Sequence, residues 1–199
     1  MKQKKINTPT LKTERLILRK FAKFDLKALF NILSDEKINE YLPWIKIENI
    51  EEAEFFLKER FLDYYNLENA FRYAVCLKED NIPIGYVWLS NDSSHDLGYG
   101  LRSDYWNKGI ISEAALKIVE LLSKTNIGYI TATHDINNPA SGKIMEKIGM
   151  TYKYSYVEQW MPKNKEVTFR MYQLKFKTND FFIYEEYKEK HPNNFIENI

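Results

Sequence analysis

Residues Trp106, Asn107, Lys108, Gly109, Ile110, Ile111 and Ser112 open a stretch with strong helical periodicity. A helix start presents about four backbone N–H groups without intrahelical acceptors, and the aligned peptide dipoles add about half a positive charge there. Such an end takes up anions, phosphate among them. Gly109 has no side chain to hold a ligand away from those amides, and Lys108 adds a full positive charge beside them. The same residues would also serve a tight strand-to-helix turn with solvated Asn107 and Lys108, so the motif alone leaves both uses open. No G-x-x-x-x-G-K-[ST] occurs, and in "GYGLRS" Ser103 stands where the third glycine of a dinucleotide fingerprint would fall. Nucleotide hydrolysis and dinucleotide redox chemistry are therefore unsupported.

Glu158 is a carboxylate within the apolar and aromatic "YSYVEQWM". On a strand lining a cleft, partial desolvation would make it a better proton acceptor; on a solvent-facing strand it is an ordinary surface charge. His95, His134 and His191 share no ligand spacing, so no metal is expected. His134 ends a strand-like run and either titrates near neutrality or simply closes that strand. Cys76 is the single cysteine, which excludes an internal disulfide. Its setting, "YAVCL", is that of a small buried hydrophobe rather than a nucleophile.

The elements that must hold these groups follow from pattern. With 199 residues, 44% hydrophobic and 29% charged, the chain has the makings of one folded domain. Lys+Arg 29 against Asp+Glu 28 leaves no electrostatic footprint for nucleic acid. The basic N-terminal stretch precedes no apolar segment, and no run of about eighteen apolar residues occurs, so no membrane partner and a cytoplasmic location are expected. "RLILRKF" (15–21) reads as a strand, and Leu26, Leu29, Phe30 and Leu33 mark one face of a helix that starts at Asp25. Ala53, Phe56, Leu57 and Phe61 do the same for a helix over 50–65. Strand-like runs at 71–77, 83–90 and 96–102 suggest an antiparallel meander. Beyond Gly109, Ile111, Ala114, Ala115, Ile118 and Leu122 line one helical face, opposite two Glu-to-Lys pairs at i, i+4, Glu113–Lys117 and Glu120–Lys124. A strand at 127–135, a helix ending near Gly149 and a hairpin around "PKNK" complete a mixed α/β pattern, whose strand–helix–strand crossover demands parallel strands.

"LGYGLRSDYWNKGIISEA" and the later "DINNPASGKIMEKIGM" resemble the acetyl-CoA signature of the GNAT N-acetyltransferases. Within that superfamily, "LKTERLILRKF" and "YLPW" are similar to the branch holding the ribosomal-protein N-terminal acetyltransferases of the RimJ/RimL type. The resemblance spans roughly residues 10–176, between an N-terminal tail at 1–9 and a C-terminal helical extension at 177–199. It implies a mixed, largely antiparallel sheet of about seven strands, splayed between the fourth and fifth, with helices on both faces. The family pattern is Gln/Arg-x-x-Gly-x-Gly/Ala; here Trp106 replaces the first residue and Ile111 fills the small-residue position.

What the resemblance implies chemically is transfer of acetyl from acetyl-CoA, as co-substrate and without a metal, to a primary amine by direct attack in a ternary complex. The amine would be a protein N-terminus or a small molecule. The pyrophosphate would lie on amides 107–112, and the pantetheine arm between the 96–102 and 128–134 strands. A bulge in the first of these strands would open the gap, where Gly98 and Gly100 mark either a bulge or a close backbone approach. An N–H near Tyr99 to Leu101 would face the developing oxyanion. Asn138 and Ser141 match the family's Asn-x-x-Ser and would bind the pantetheine; without the resemblance Asn138 is a helix cap. Many members protonate the thiolate with a tyrosine four residues before the helix-end glycine. Met145 stands there, so Ser141 is the substitute donor and Glu158 the base. Tyr41, Trp44 and Trp160 would line the acceptor cleft. The other class left open is a noncatalytic acyl-CoA-binding or ribosome-associated protein, and either class is compatible with a monomer or homodimer. Phe181, Tyr184 and Tyr187 at helical spacing predict a short C-terminal helix that docks its aromatic face on the domain or on a second subunit.

Overall fold

Strands β3 (Arg72–Leu77) and β4 (Pro83–Leu89) are buried on both faces over most of their length, which places them inside a sheet rather than at its edge. The computed structural model describes residues 7–68, 70–177 and 181–199. It flanks this pair with β1 (Leu11–Lys12), β2 (Leu16–Arg19) and β5 (Leu97–Leu101), giving an antiparallel sheet in the order β1-β2-β3-β4-β5. A second antiparallel sheet has the order β6-β8-β7-β9, from β6 (Tyr129–Asp135), β7 (Thr151–Trp160), β8 (Lys165–Lys175) and β9 (Asn194–Phe195). Asp96 and Thr131 form an isolated parallel bridge where the two sheets meet. The sheet is thus splayed between the fourth and fifth of the long strands, as expected. The two additions, β1 and β9, are two residues each and too short to carry a periodicity.

On one face lie α1 (Leu26–Leu33), α2 (Glu36–Asn39) and α3 (Ile50–Leu57), packed with Ala74, Cys76 and Tyr86 of the sheet. The other face is covered by α4 (Ile110–Leu122) and α5 (Pro139–Lys147), whose Ile111, Ala114, Ala115, Ile118, Leu122 and Met145 join Val75, Val87 and Ala132. The expected helix over 50–65 ends at Leu57 and continues as a π turn and a 3-10 turn. The Arg60 carbonyl in that turn accepts from the Arg72 guanidinium (2.6 Å), so this carbonyl serves the neighbouring strand. Along α4 the charge pairing also differs from expectation. Glu120 takes both Lys117 (2.7 Å) and Lys124 (2.8 Å), because Glu113 is turned toward Arg15 (2.7 Å) and Thr13 (2.5 Å).

β5 contains no bulge: it pairs residue for residue with β4, from Leu97 opposite Leu89 to Leu101 opposite Gly85. The glycines serve close approach instead. A Cβ on Gly98 would lie 2.2 Å from Trp88 Nε1, and one on Gly100 would lie 2.6 Å from the Tyr86 ring. The gap toward β6 opens because, apart from the Asp96–Thr131 bridge, the strands on either side pair with other partners.

Both ends of the chain depart from a plain tail and a plain helix. Residues 1–6 lie outside the described residues, but Asn7 Nδ2 donates to Tyr65 O (2.8 Å) and Arg72 N donates to the buried Thr8 Oγ1 (3.1 Å). Among the described residues of the C-terminal segment only Glu186–Lys190 is helical, as α6. Tyr184 and Tyr187 pack against Tyr154, Tyr156 and Phe169, whereas Phe181 precedes the helix and is 90% exposed.

Candidate active site

The turn from β5 into α4 has two left-handed residues, Asn107 (φ 59°) and Gly109 (φ 70°). Gly109 is the N-cap of α4 and provides no side-chain cap, so the first amides of the helix have no side chain folded over them. A Cβ there would meet only Arg15 Nη2, at 3.8 Å, so the space beside the turn is open. Ile110 and Ile111 are buried in the core. The large residue at the family's small-residue position thus packs inward. Ser112 is buried, and Trp106, 41% exposed, donates from Nε1 to Leu101 O (2.7 Å). Lys108 Nζ is tethered to Asp104 O (2.9 Å). A second cation, Arg15, escapes sequence reasoning: it donates to Lys108 O (2.9 Å) from the bend before β2, far away in the chain.

The slot between the sheets begins beside this turn. Arg102 N–H donates to Ile84 O and Thr131 N–H donates to His95 O, so the even-numbered residues of this stretch bond toward β4 and the odd-numbered ones face β6. By that alternation the N–H groups of Tyr99 and Leu101 point into the gap. Tyr99 Oη lies 2.8 Å from Ser141 Oγ and donates to Ser141 O (3.0 Å), and burial raises its phenol above the ordinary range. Asn138 caps α5, its Oδ1 accepting from Ser141 N (3.3 Å). Met145 is buried in the core.

A cavity of about 560 Å³ runs from Gly109, Ser112 and Tyr99 to Tyr41, Trp44, Trp160 and Glu158, and so brings the sequence-predicted residues of both ends together. Trp44 contacts Phe56 (5.0 Å between ring centroids) and Trp88 (5.6 Å); Trp160 packs edge-on to Phe169 (5.3 Å). Trp44 Nε1 and Tyr86 Oη are buried with no hydrogen-bond partner among the described residues. Glu158, on β7, sits 3.6 Å from His191 Nε2.

Asp96 is a cavity residue that sequence reasoning missed. Its Oδ2 is approached by Tyr187 Oη (3.4 Å) and Thr131 Oγ1 (3.5 Å), and burial pushes its carboxyl up to about 7. It lies at the end of a turn-rich run, where no periodicity singles it out. His134 is buried with Nδ1 2.8 Å from Asp135 O, and desolvation lowers its pKa, which fits a structural strand end. Burial raises the Cys76 thiol to about 12, which removes it as a nucleophile at neutral pH. Among the described residues no group of three or more His, Cys, Asp or Glu stands close enough to hold a metal, and no helix is long and apolar enough to cross a membrane.

Residues 15–151 match the family model described as the acetyltransferase (GNAT) domain. The Bacillus subtilis (strain 168) protein named uncharacterized N-acetyltransferase YnaD is 29% identical over 158 residues, covering 77% of this chain and 89% of that protein. An acetyltransferase of the GNAT family from Bacillus anthracis superposes with a TM-score of 0.71 at 25% identity, over 84% of this chain and 98% of that one. RimL, a ribosomal L7/L12 alpha-N-protein acetyltransferase solved with coenzyme A, gives a TM-score of 0.76 over 86% of this chain and 100% of its own; at 15% identity that likeness is one of fold.

Proposed function

The chain belongs to the GNAT acetyltransferase family, and we propose that it moves an acetyl group from acetyl-CoA to a primary amine, as a member of the RimJ/RimL-like branch. The amine is a protein N-terminus or a small molecule. One observation carries this: a single cavity joins the uncapped turn before α4 to a carboxylate framed by aromatic rings. A GNAT fold solved with coenzyme A, as in RimL, supports the choice of donor.

Acetyl-CoA supplies the electrophile, a thioester carbonyl carbon. Amides 107–112 hold its pyrophosphate, with Lys108 adding positive charge near the turn. The gap-facing N–H groups of Tyr99 and Leu101 and the Asn138–Ser141 cap hold the pantetheine arm, and one of the β5 amides polarises the carbonyl oxygen. Near pH 7 an α-amine or lysine amine is mostly protonated, with reference pKa values of about 8 and about 10.4, so a base must act first. Glu158 takes that proton and passes it to solvent. The amine lone pair then forms the N–C bond while the C–S bond breaks with its electron pair on sulfur. Ser141, held by Tyr99, protonates the sulfur and is reprotonated by the proton leaving nitrogen. The sum is one amide, one free thiol and one proton released.

Trp44 Nε1 and Tyr86 Oη, left unpartnered in the cavity wall, suit an acceptor carrying a carbonyl or hydroxyl near its amine. Free thiol release from acetyl-CoA, with peptides bearing a free α-amine, polyamines and aminoglycosides as acceptors, tests the proposal. Amine-dependent release is expected. Acetyl-CoA binding without release across the whole panel would instead indicate a noncatalytic acyl-CoA-binding protein.

A further inference from the structure

His191 lies beyond residues 15–151 that match the family model, on the C-terminal segment, yet its ring contacts two residues of the cavity wall, Tyr156 and Glu158. Its Nε2 is 3.6 Å from Glu158 Oε2, inside ion-pair range and long for a hydrogen bond. The ring stacks on Tyr156 (4.9 Å between centroids, 22° between planes), and Tyr156 stacks in turn on Tyr187 (5.4 Å, 11°). Backbone bonds fix the segment on both sides of the ring. His191 N–H donates to Tyr187 O (3.0 Å), and Asn194 Nδ2 donates to His191 O (2.9 Å). Val157 N–H donates to Asn193 O (2.8 Å), and β9 pairs Asn194 with Tyr156 and Phe195 with Ser155. Farther on, Glu197 forms an ion pair with Arg170 (2.5 Å).

We infer that His191 is a positioning residue for the transfer: it holds Oε2 of Glu158 and so leaves Oε1 to take the proton from the acceptor amine. This rests on the reading of Glu158 as the base. A glutamate side chain has several rotamers open to it, and proton transfer needs one in which the carboxylate is within reach of the nitrogen. The imidazole, stacked on Tyr156 and carried on a backbone that the Tyr187 and Asn194 bonds fix, selects that rotamer. Its loss would leave the base present but poorly aimed, which costs turnover and not coenzyme affinity.

The probes are a hexapeptide with a free α-amine and spermidine, each assayed by thiol release. His191→Phe keeps the stack on Tyr156 and removes the nitrogens. It is expected to lower kcat about tenfold with KM for acetyl-CoA and Tm unchanged, and His191→Gln, which restores an N–H donor, is expected to recover part of the loss. In a Glu158→Gln background, His191→Phe is expected to add nothing. Wild-type kcat in His191→Phe, beside a slow Glu158→Gln, would overturn the positioning role and leave the base in place. Additive losses would also overturn it. Wild-type kcat in Glu158→Gln, or no release with either probe, would remove the base assignment and this role with it.

Discussion

At the proposed donor end of the cleft one run of residues, Trp106 to Ser112, shapes the site with its backbone: two left-handed residues and an uncapped helix start. At the acceptor end the groups are side chains from separate parts of the chain. Tyr41 and Trp44 come from the segment between α2 and α3, Asp96 from the entry to β5, Glu158 and Trp160 from β7, and His191 from beyond α6. The difference teaches where variation is cheap. The proposed backbone-held anion site depends on a few conformations, so even an isoleucine at position 111 is accommodated by packing inward. A side-chain-held cleft changes its chemistry with each substitution, and can recruit a segment outside the family domain.

The sharpest way to separate the two ends is Glu158→Gln, which keeps shape and removes the base. Turnover is expected to fall about a hundredfold or more while acetyl-CoA affinity stays. Wild-type kcat with a verified acceptor would move the base elsewhere, with Asp96 next in line.

Truncation after Lys177 strikes only the acceptor end. It removes the buried Tyr184, the Tyr187 contacts, β9 and the Glu197–Arg170 pair. Burial of two aromatic side chains corresponds to a Tm loss of about 10 °C in a chain of this size, read by calorimetry, again with acetyl-CoA affinity retained. An unchanged Tm would mean that the segment does not dock.

A smaller effect is expected from Asp96→Asn. Asp96 holds its proton up to about pH 7 in the folded chain, whereas an unfolded aspartate loses it near pH 3.9. Across that window the native state binds more protons than the unfolded state, so this group's contribution to stability declines as pH rises. The asparagine variant lacks the decline, and its Tm advantage is expected to grow from pH 4 to pH 8. Parallel curves would show that Asp96 is not held protonated.

What could be read from the sequence follows the same division. The face Ile111, Ala114, Ala115, Ile118 and Leu122 is buried as its spacing requires, because a helix face is a local property. The turn at Gly109 was legible for the same reason. Arg15 and Glu113 meet across 98 residues of sequence, and no pattern in either stretch foretells it. Asp96, His191 and the partnership of Tyr99 with Ser141 likewise exist only once the sheets have come together. Gly98 and Gly100 were half legible: two glycines announced an unusual strand, but only the rings of Tyr86 and Trp88 decide for close approach over a bulge.

The backbone-held donor site is tested most directly by calorimetric titration of acetyl-CoA into Gly109→Pro beside the wild type, Glu158→Gln and the truncated chain. Proline is confined near φ −65° and has no N–H, so it cannot adopt the +70° of Gly109 and withdraws a donor from the turn. The expected result is an affinity more than about tenfold weaker in Gly109→Pro alone, with the other two variants at the wild-type Kd. A folded Gly109→Pro variant that binds acetyl-CoA with the wild-type Kd would contradict it.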